Sequence, residues 1–400
     1  MKKLALLLFL VPFFAGAAAA FDFGVLLDQT VGVEGIGGEA ALDYSASLIP
    51  WFSMPLGEEG DVFVSAGLTA GYEDEKGFFV PELLRAEFSW RFSNALRLSA
   101  GRLSYADPLD FVIDGLFDGA QVFYSVGMGT FNAGFLYSGL IYKKTVKITM
   151  TGADFDSFYD TRQYASSRRV LMVAGWEHPA LMELVRLRAS VTGQFDLNSR
   201  DTAYHSQYLT VKAGIPLERF AFELGGALET AQVAAQDERE FGLAFAGEIG
   251  ASWQPPAAFE SQLSFNGRFA SGRTESGSIF AFVPVTTLEQ GAVLKARLSG
   301  LSALNLDYTA RFRPDLSSSL GLTYFVRSDL ATYMGYPWGG QADNEGYFLG
   351  GELLGRVIWS PVSDLRLNLG GGVFLPAMGN VAPEAKPLWR IDLNLIIALF

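Results

Sequence analysis

The chain has no cysteine and only two histidines among its 400 residues. The lack of cysteine excludes a disulfide framework and any thiolate metal site. The histidines, His178 and His205, stand alone. No H-E-x-x-H, no G-x-S-x-G and no phosphate loop appears, so neither an enzyme nor a nucleotide-binding module is expected. His205 lies beside Ser206 and near Asp201, but neighbours on a strand point to opposite faces, which rules out a His205–Ser206 dyad in regular geometry. Charge is also scarce: 18% of residues are charged, where a soluble domain carries about a quarter. The net charge of −13 argues against nonspecific nucleic-acid binding. Beyond the N-terminus no apolar run reaches the roughly 20 residues of a spanning helix. What is abundant is glycine, 44 residues, and aromatics, 14%, in a chain that is half hydrophobic. The apolar residues are scattered, not blocked.

One apolar block stands at the start. Lys2 and Lys3 precede the apolar stretch Leu4 to Phe14, and Ala18-Ala19-Ala20 supplies small residues. That is the pattern of a secretory signal peptide, expected over residues 1–20 with the cut before Phe21. A retained anchor helix is the competing reading. Residues 21–400 then form one domain.

Strict alternation fills that domain. Val185, Leu187, Ala189, Val191, Gly193, Phe195 and Leu197 fall on one face of an extended chain; Arg186, Arg188, Ser190, Thr192, Gln194 and Asp196 fall on the other. A helix would mix the two sets around its surface. The pattern returns at 219–224, 240–253, 304–313 and 364–369. Segments near ten residues, separated by turns, are the signature of a transmembrane barrel, since soluble-sheet strands run about five to six. The expected fold is all-β: a transmembrane antiparallel up-and-down β-barrel of 18 strands, within a range of 16–18. The strands are expected near 22–32, 40–50, 61–72, 82–92, 95–104, 118–126, 129–139, 167–176, 184–197, 207–216, 219–231, 240–253, 260–271, 303–313, 318–328, 347–359, 364–375 and 388–400.

Loop lengths agree with that count. Such barrels have short periplasmic turns and long outer loops. Connections after even strands are short, as at Ser93-Asn94 and Leu217-Glu218; those after odd strands are long: 105–117, 140–166, 272–302, 329–346 and 376–387. Residues 291–300 could make a strand, but it would invert the long–short order, so they belong to a loop. Trp51, Trp90, Trp176, Trp253 and Trp359 sit at the ends of even strands, with prolines beside four of them. They are expected to form the inner aromatic girdle at the lipid headgroups. Pro ends the ladder there.

The terminal segment Pro387 to Phe400 carries the apolar phase Trp389, Ile391, Leu393, Leu395, Ile397, Leu399 and ends on Phe. It resembles the last strand of Gram-negative outer-membrane proteins. That resemblance implies outer-membrane lipid as surroundings and the barrel-assembly machinery as a partner. Leu349-Gly350-Gly351-Glu352, Trp359-Ser360-Pro361, Leu365 to Gly372 and Phe374-Leu375-Pro376 resemble the penultimate strands of alginate-export-type porin barrels. The Asp-rich stretch 107–118 is similar to spirochaete outer-membrane barrels. The alginate-export likeness implies an 18-strand passive pore for an anionic polymer or small solute.

A barrel of 16–18 strands is too wide for side chains to fill. Its inward basic set is expected to be Arg85, Arg91, Arg97, Arg186, Arg188, Lys212, Arg268, Arg311, Arg313, Arg327, Arg356 and Arg366. The inward acids are Glu87, Asp196, Glu223, Glu229, Glu248, Asp307 and Glu352. Basic rings favour anions; the blander reading is that opposite charges pair across strands and solvate the wall. The acidic excess, at Glu73, Asp74, Glu75, Asp107, Asp110, Asp114, Asp118, Asp154, Asp156, Asp160, Asp237 and Glu238, is expected as solvated loop charge, since it lacks calcium-loop spacing. No metal and no cofactor is expected. Two loops are apolar, at Phe111-Val112-Ile113 with Leu116-Phe117 and at Ile279 to Val285. Exposed runs of this kind are avoided, so at least one is expected to fold into the lumen. The expected function is passage of small solutes, anions preferred, through a monomer. The alternative is a structural or host-contacting surface barrel acting through acidic outer loops.

Overall fold

A computed structural model describes residues 21–399 except 74–75, 199–202, 236–237, 257–258, 275–278 and 332–344. Eighteen antiparallel strands form one closed sheet. In chain order they are β1 (Asp22–Ile36), β2 (Glu39–Leu56), β3 (Gly60–Glu73), β4 (Lys76–Arg91), β5 (Leu96–Ala106), β6 (Asp114–Val126), β7 (Gly129–Tyr137), β8 (Arg169–Leu181), β9 (Val185–Asp196), β10 (Tyr204–Pro216), β11 (Phe220–Ala235), β12 (Glu238–Trp253), β13 (Glu260–Ala270), β14 (Leu301–Arg313), β15 (Leu316–Arg327), β16 (Phe348–Val362), β17 (Leu365–Leu375) and β18 (Leu388–Leu399). Each strand pairs with its chain neighbours, and β18 returns to β1 from Val25↔Leu399 to Ile36↔Leu388. Closure leaves no free edge in the hydrocarbon, where unpaired amides cost several kcal/mol each. The expected strand count and order hold.

The pleat sorts the side chains. Phe23, Leu68, Val122, Met172, Val191, Leu224, Ile249, Leu320, Leu369 and Ile391 stand exposed on the outer rows, where lipid replaces water. Between them the inner rows carry small polar pairs that bond across neighbouring strands: Ser47–Thr69 at 2.8 Å, Ser89–Ser99 at 3.0 Å, Ser190–Thr210 at 2.7 Å and Asn305–Thr323 at 2.9 Å. The Trp girdle needs one correction. Trp90, Trp176, Trp253 and Trp359 lie on outer rows near the short turns, and the indoles of Trp176 and Trp359 donate to Met128 O and Asp315 Oδ2. Trp51 instead pairs in register with Ser65, on the row of Ser47, and stacks 6.2 Å from Phe63. It faces the interior; position near a strand end does not fix the phase.

A second correction concerns β4. It begins at Lys76, ahead of the expected 82, and contains Pro81. It pairs with β3 along its length but with β5 only from Ala86 to Arg91. On its β5 side the upper part of β4 has no strand beside it among the described residues, so Pro81 breaks no ladder there. The segment 138–168 fills this seam. Thr145 donates to Glu82 at 2.8 Å, and Tyr164 donates to Pro81 O at 2.8 Å. Arg102 pins the lower end: it forks Asp118 at 2.8 and 2.9 Å and donates to Leu83 O and Leu140 O.

Candidate functional site

The functional volume of such a barrel is its lumen, and three loops decide its shape. The β5–β6 loop runs over residues 107–113, the β7–β8 loop over 138–168 and the β13–β14 loop over 271–300. At least one of the two apolar segments is expected to turn inward, and both do. Leu109, Phe111, Val112 and Ile113 are fully buried, as are Phe282 and Val285. Phe282 meets Phe111 at 6.5 Å and Tyr208, on an inner row of β10, at 6.1 Å. The loops are also hydrogen-bonded to each other, through Val285 N–H to Val112 O at 2.8 Å and Asp114 N–H to Thr286 Oγ1 at 2.8 Å. Residues 291–300 stay out of the barrel sheet; Glu289–Gln290 pairs with Ala296–Arg297 in a small ladder inside the loop.

Charged side chains on the wall tie these loops down. Glu229 accepts from Tyr204 Oη at 2.6 Å and from Val283 N–H at 2.8 Å, while Tyr208 Oη donates to Val283 O at 2.6 Å. Glu352 accepts from the amides of Ala292, Val293 and Leu294 at 2.6–3.1 Å. Arg327 donates to Gly346 O and Leu330 O, one residue at each described end of the β15–β16 connection. Arg169 is wholly buried between Asp154 and Asp196. It fastens a two-turn helix, α2 (Gly152–Tyr159), whose Thr151–Asp154 capping box satisfies its first amides. A one-turn helix, α1 (Lys143–Val146), precedes it.

Three of the acids expected as solvated loop charge are therefore structural. Asp154 pairs with Arg169, Asp118 is forked by Arg102, and Asp107 is buried. Asp74, Glu75 and Asp237 lie outside the described residues. Asp107 closes its own loop by accepting from the amides of Leu109, Val112 and Ile113 at 3.0–3.1 Å. Burial pushes its carboxyl up from 3.8 to about 6, although those three amides pull it down. The docked loop therefore holds the proton more tightly than the released loop does. Docking is strongest below the ordinary value and weakens as pH rises through about 6. Amide exchange over residues 108–113, corrected for its intrinsic pH dependence, should be slower at pH 4 than at pH 7. The substitution Asp107→Asn should abolish the difference; if the substituted chain keeps it, another group titrates.

By register, the sequence-derived pore candidates fall on the rows that carry the polar pairs Ser89–Ser99, Ser190–Thr210 and Asn305–Thr323. Glu87 pairs with Arg85 at 2.6 Å; Lys212 bridges Glu223 at 3.0 Å and Glu248 at 2.7 Å; Arg268 stands 3.6 Å from Glu248. Arg311 and Arg313 sit near the short turns, against Glu260 and Asp315. Glu248, Glu352, Lys212 and Arg327 face inward but are covered by loops or neighbours, so they support the wall and do not meet the water path. Arg91, Arg97, Arg186, Arg188, Arg356 and Arg366 remain at least partly exposed and form no ion pair among the described residues. Arg97 lies over Phe123 at 4.5 Å. His205 and Ser206 occupy opposite faces of β10: Ser206 donates inward to Gln194, while the His205 ring accepts from the Asp196 amide.

The open side of the lumen is the one the loops leave bare. Inner residues on β9 to β12, such as Thr192, Gln194, Ser206 and Thr210, are buried under the loops. Their counterparts on β1, β2, β17 and β18, including Asp28, Thr30, Asp43, Asn368 and Asn394, remain half-exposed. At the loop end this side widens into a cavity of about 1020 Å³ between α2, residues 287–299 and the wall of β1, β2 and β18. At the short-turn end a space of about 840 Å³ lies against Arg219, Arg311 and Arg356. Sequence reasoning missed Arg102, Arg169 and Arg390. Arg390 was legible, since it shares the phase of Asp392 and Asn394; Arg102 was not, because its partners come from three separate elements. Among the described residues no cluster of His, Asp and Glu is suited to a metal.

No family model matches the sequence, and no curated protein matches it. Solved structures do. OccK2 (OpdF) of Pseudomonas aeruginosa superposes with a TM-score of 0.63 at 12% identity, covering 95% of this chain and 97% of that one. The same protein in complex with glucuronate gives 0.62 at 12% identity, covering 96% and 99%. A BenF-like porin from Pseudomonas fluorescens Pf-5 gives 0.61 at 10% identity, covering 95% and 99%. The chain has the fold of these Gram-negative outer-membrane porins, a closed 18-strand antiparallel barrel. These neighbours bear on that fold and not on the narrower likenesses to alginate-export or spirochaete barrels.

Proposed function

We propose that the protein is a monomeric outer-membrane channel for the passive passage of small solutes, with anions preferred. The observation that carries the reading is an asymmetry of pairing. The inward acids Glu87, Glu223, Glu248 and Glu352 are engaged by Arg85, Lys212, Arg268 or loop amides, whereas six inward arginines form no ion pair among the described residues; the inward acids that also form none, such as Asp28 and Asp43, stand apart from them on β1 and β2. Arginines of that kind leave positive potential along the water path, and positive rings favour anions. Residues 1–20, outside the described residues, serve as the leader, cut before Phe21, and the last strand, Leu388–Leu399, is read by the barrel-assembly machinery.

The test is the reversal potential of the mature chain in planar bilayers across a potassium chloride gradient. Chloride preference is expected, reduced or inverted in the Arg188→Glu/Arg366→Glu double variant. Cation preference in the unmodified protein removes the anion reading, and absence of any steady current removes the channel. Small sugar acids are the first organic solutes to try, since one neighbour of the same fold was solved with glucuronate.

A further inference from the structure

The cavity at the loop end carries a feature that ion passage does not use. Helix α2 presents Phe155, Phe158 and Tyr159 into it. Tyr159 is 64% exposed and meets Phe155 in a tilted contact at 4.7 Å and Phe158 edge-on at 5.2 Å. These rings face water and not lipid, because the opposite wall is the inner row of β1 and β18, at Glu34 and Arg390. Exposed aromatic clusters of this kind mark binding surfaces. The capping box and the Arg169 pairs hold the helix in place independently of any ligand, so the platform is formed in advance.

Most of the charges around the platform are paired. Lys295 and Arg390 share Glu34 at 2.5 and 3.0 Å, and Lys147 stands 3.7 Å from Glu289. The Arg297 guanidinium lies over the Phe155 ring at 4.5 Å, which leaves the Tyr159 face open. Paired side chains of this kind offer hydrogen-bond donors and acceptors without a strong net field. An aromatic solute would need both of its faces covered to gain fully from burial, and the aromatic platform covers one. A ring with one apolar C–H face and a hydroxylated edge fits better: the face stacks on Tyr159, and the hydroxyls reach Lys147, Glu289 and Thr287.

We propose that this cavity is a capture site for a pyranose sugar, and that a carboxylate on the sugar is tolerated but not required. The site rests on the channel reading only in that it sits at the mouth of the lumen. At about 1020 Å³ it exceeds the upper range of pockets for drug-sized ligands, roughly 300–1,000 Å³, so a disaccharide is accommodated.

The experiment is twofold, on the mature full chain. Calorimetry in detergent measures binding of maltose, glucuronate and benzoate, and planar-bilayer recording measures current block by each, added from the loop side. Maltose and glucuronate should bind and block; benzoate should do neither. Tyr159→Ala should weaken maltose about tenfold, the equivalent of one aromatic contact, and Tyr159→Phe should restore it. Tyr159 is exposed, so neither variant threatens folding. Undetectable maltose binding, affinity indifferent to Tyr159→Ala, or benzoate binding as tight as maltose would each overturn the site. Binding without conductance sinks the channel and leaves the site; conductance without binding does the reverse.

Discussion

Deleting residues 277–287 raises the single-channel conductance several-fold. The segment fills the lumen with Phe282 and Val285, both fully buried. It also supplies the Val283 groups that satisfy Tyr208 and Glu229 on the wall. Its removal strips Phe111 of its ring partner and Val112 O of its donor. The 107–113 loop then loses its docking as well, so two obstructions leave together. The strand-to-strand ladders of the wall do not run through either loop, although the upper edge of β12 loses the Phe280 N–H that bonds Leu243 O. A wall of this size encloses an aqueous channel when nothing plugs it. Recording from the deletion variant checks the claim. A conductance equal to that of the intact chain would mean that ions pass only along β1, β2, β17 and β18 and that the buried loops never limited flow. Phe282→Ala keeps the chain length and leaves a void; it should destabilise the plug by about 3–5 kcal/mol and appear as current noise before any rise in mean conductance.

Arg169→Ala produces a large loss of stability in the segment 138–168. The guanidinium is fully buried, bridges Asp154 and Asp196, and donates to Tyr204 O at 3.1 Å. Removing it leaves two carboxylates desolvated side by side. Breaking a buried pair in this way costs about 3–5 kcal/mol, most of it the penalty on the orphaned charge. Asp154 also belongs to the capping box of α2, so the helix that carries the aromatic platform should loosen. The measurements are the temperature at which the folded barrel loses its faster gel migration and the rate of proteolysis within 138–168. The triple variant Arg169→Met/Asp154→Asn/Asp196→Asn removes the charges together and should recover most of the loss. Equal damage from single and triple variants would show that packing, not charge, holds the helix.

Much of the wall is legible along the chain. Period-two alternation in stretches such as 185–197 fixes which side chains face lipid, and the ordering of long and short connections fixes the strand number. Legibility fails where one residue has to answer to a neighbour far away in the chain. Pro81 argues against a strand as long as the missing partner of β4 is out of view. The place of Trp51 near a strand end suggests the girdle, while its phase turns it inward. Asp107, Asp118 and Asp154 look like solvated acids because their amides and arginines lie on other elements or come together only when a loop closes.

The sequence by itself determined the barrel, the lipid-facing rows and the inward arginines, because alternation is a local property of an extended chain. The tertiary structure alone decided what fills that barrel. Which inward charges meet water and which are spent on loop amides depends on contacts such as Glu352 with residues 292–294, about 60 positions apart. The aromatic face of α2 likewise gains its meaning only from the polar wall opposite. Such contacts follow from loops folding back across a closed sheet, and no periodicity along the chain encodes where a loop will land.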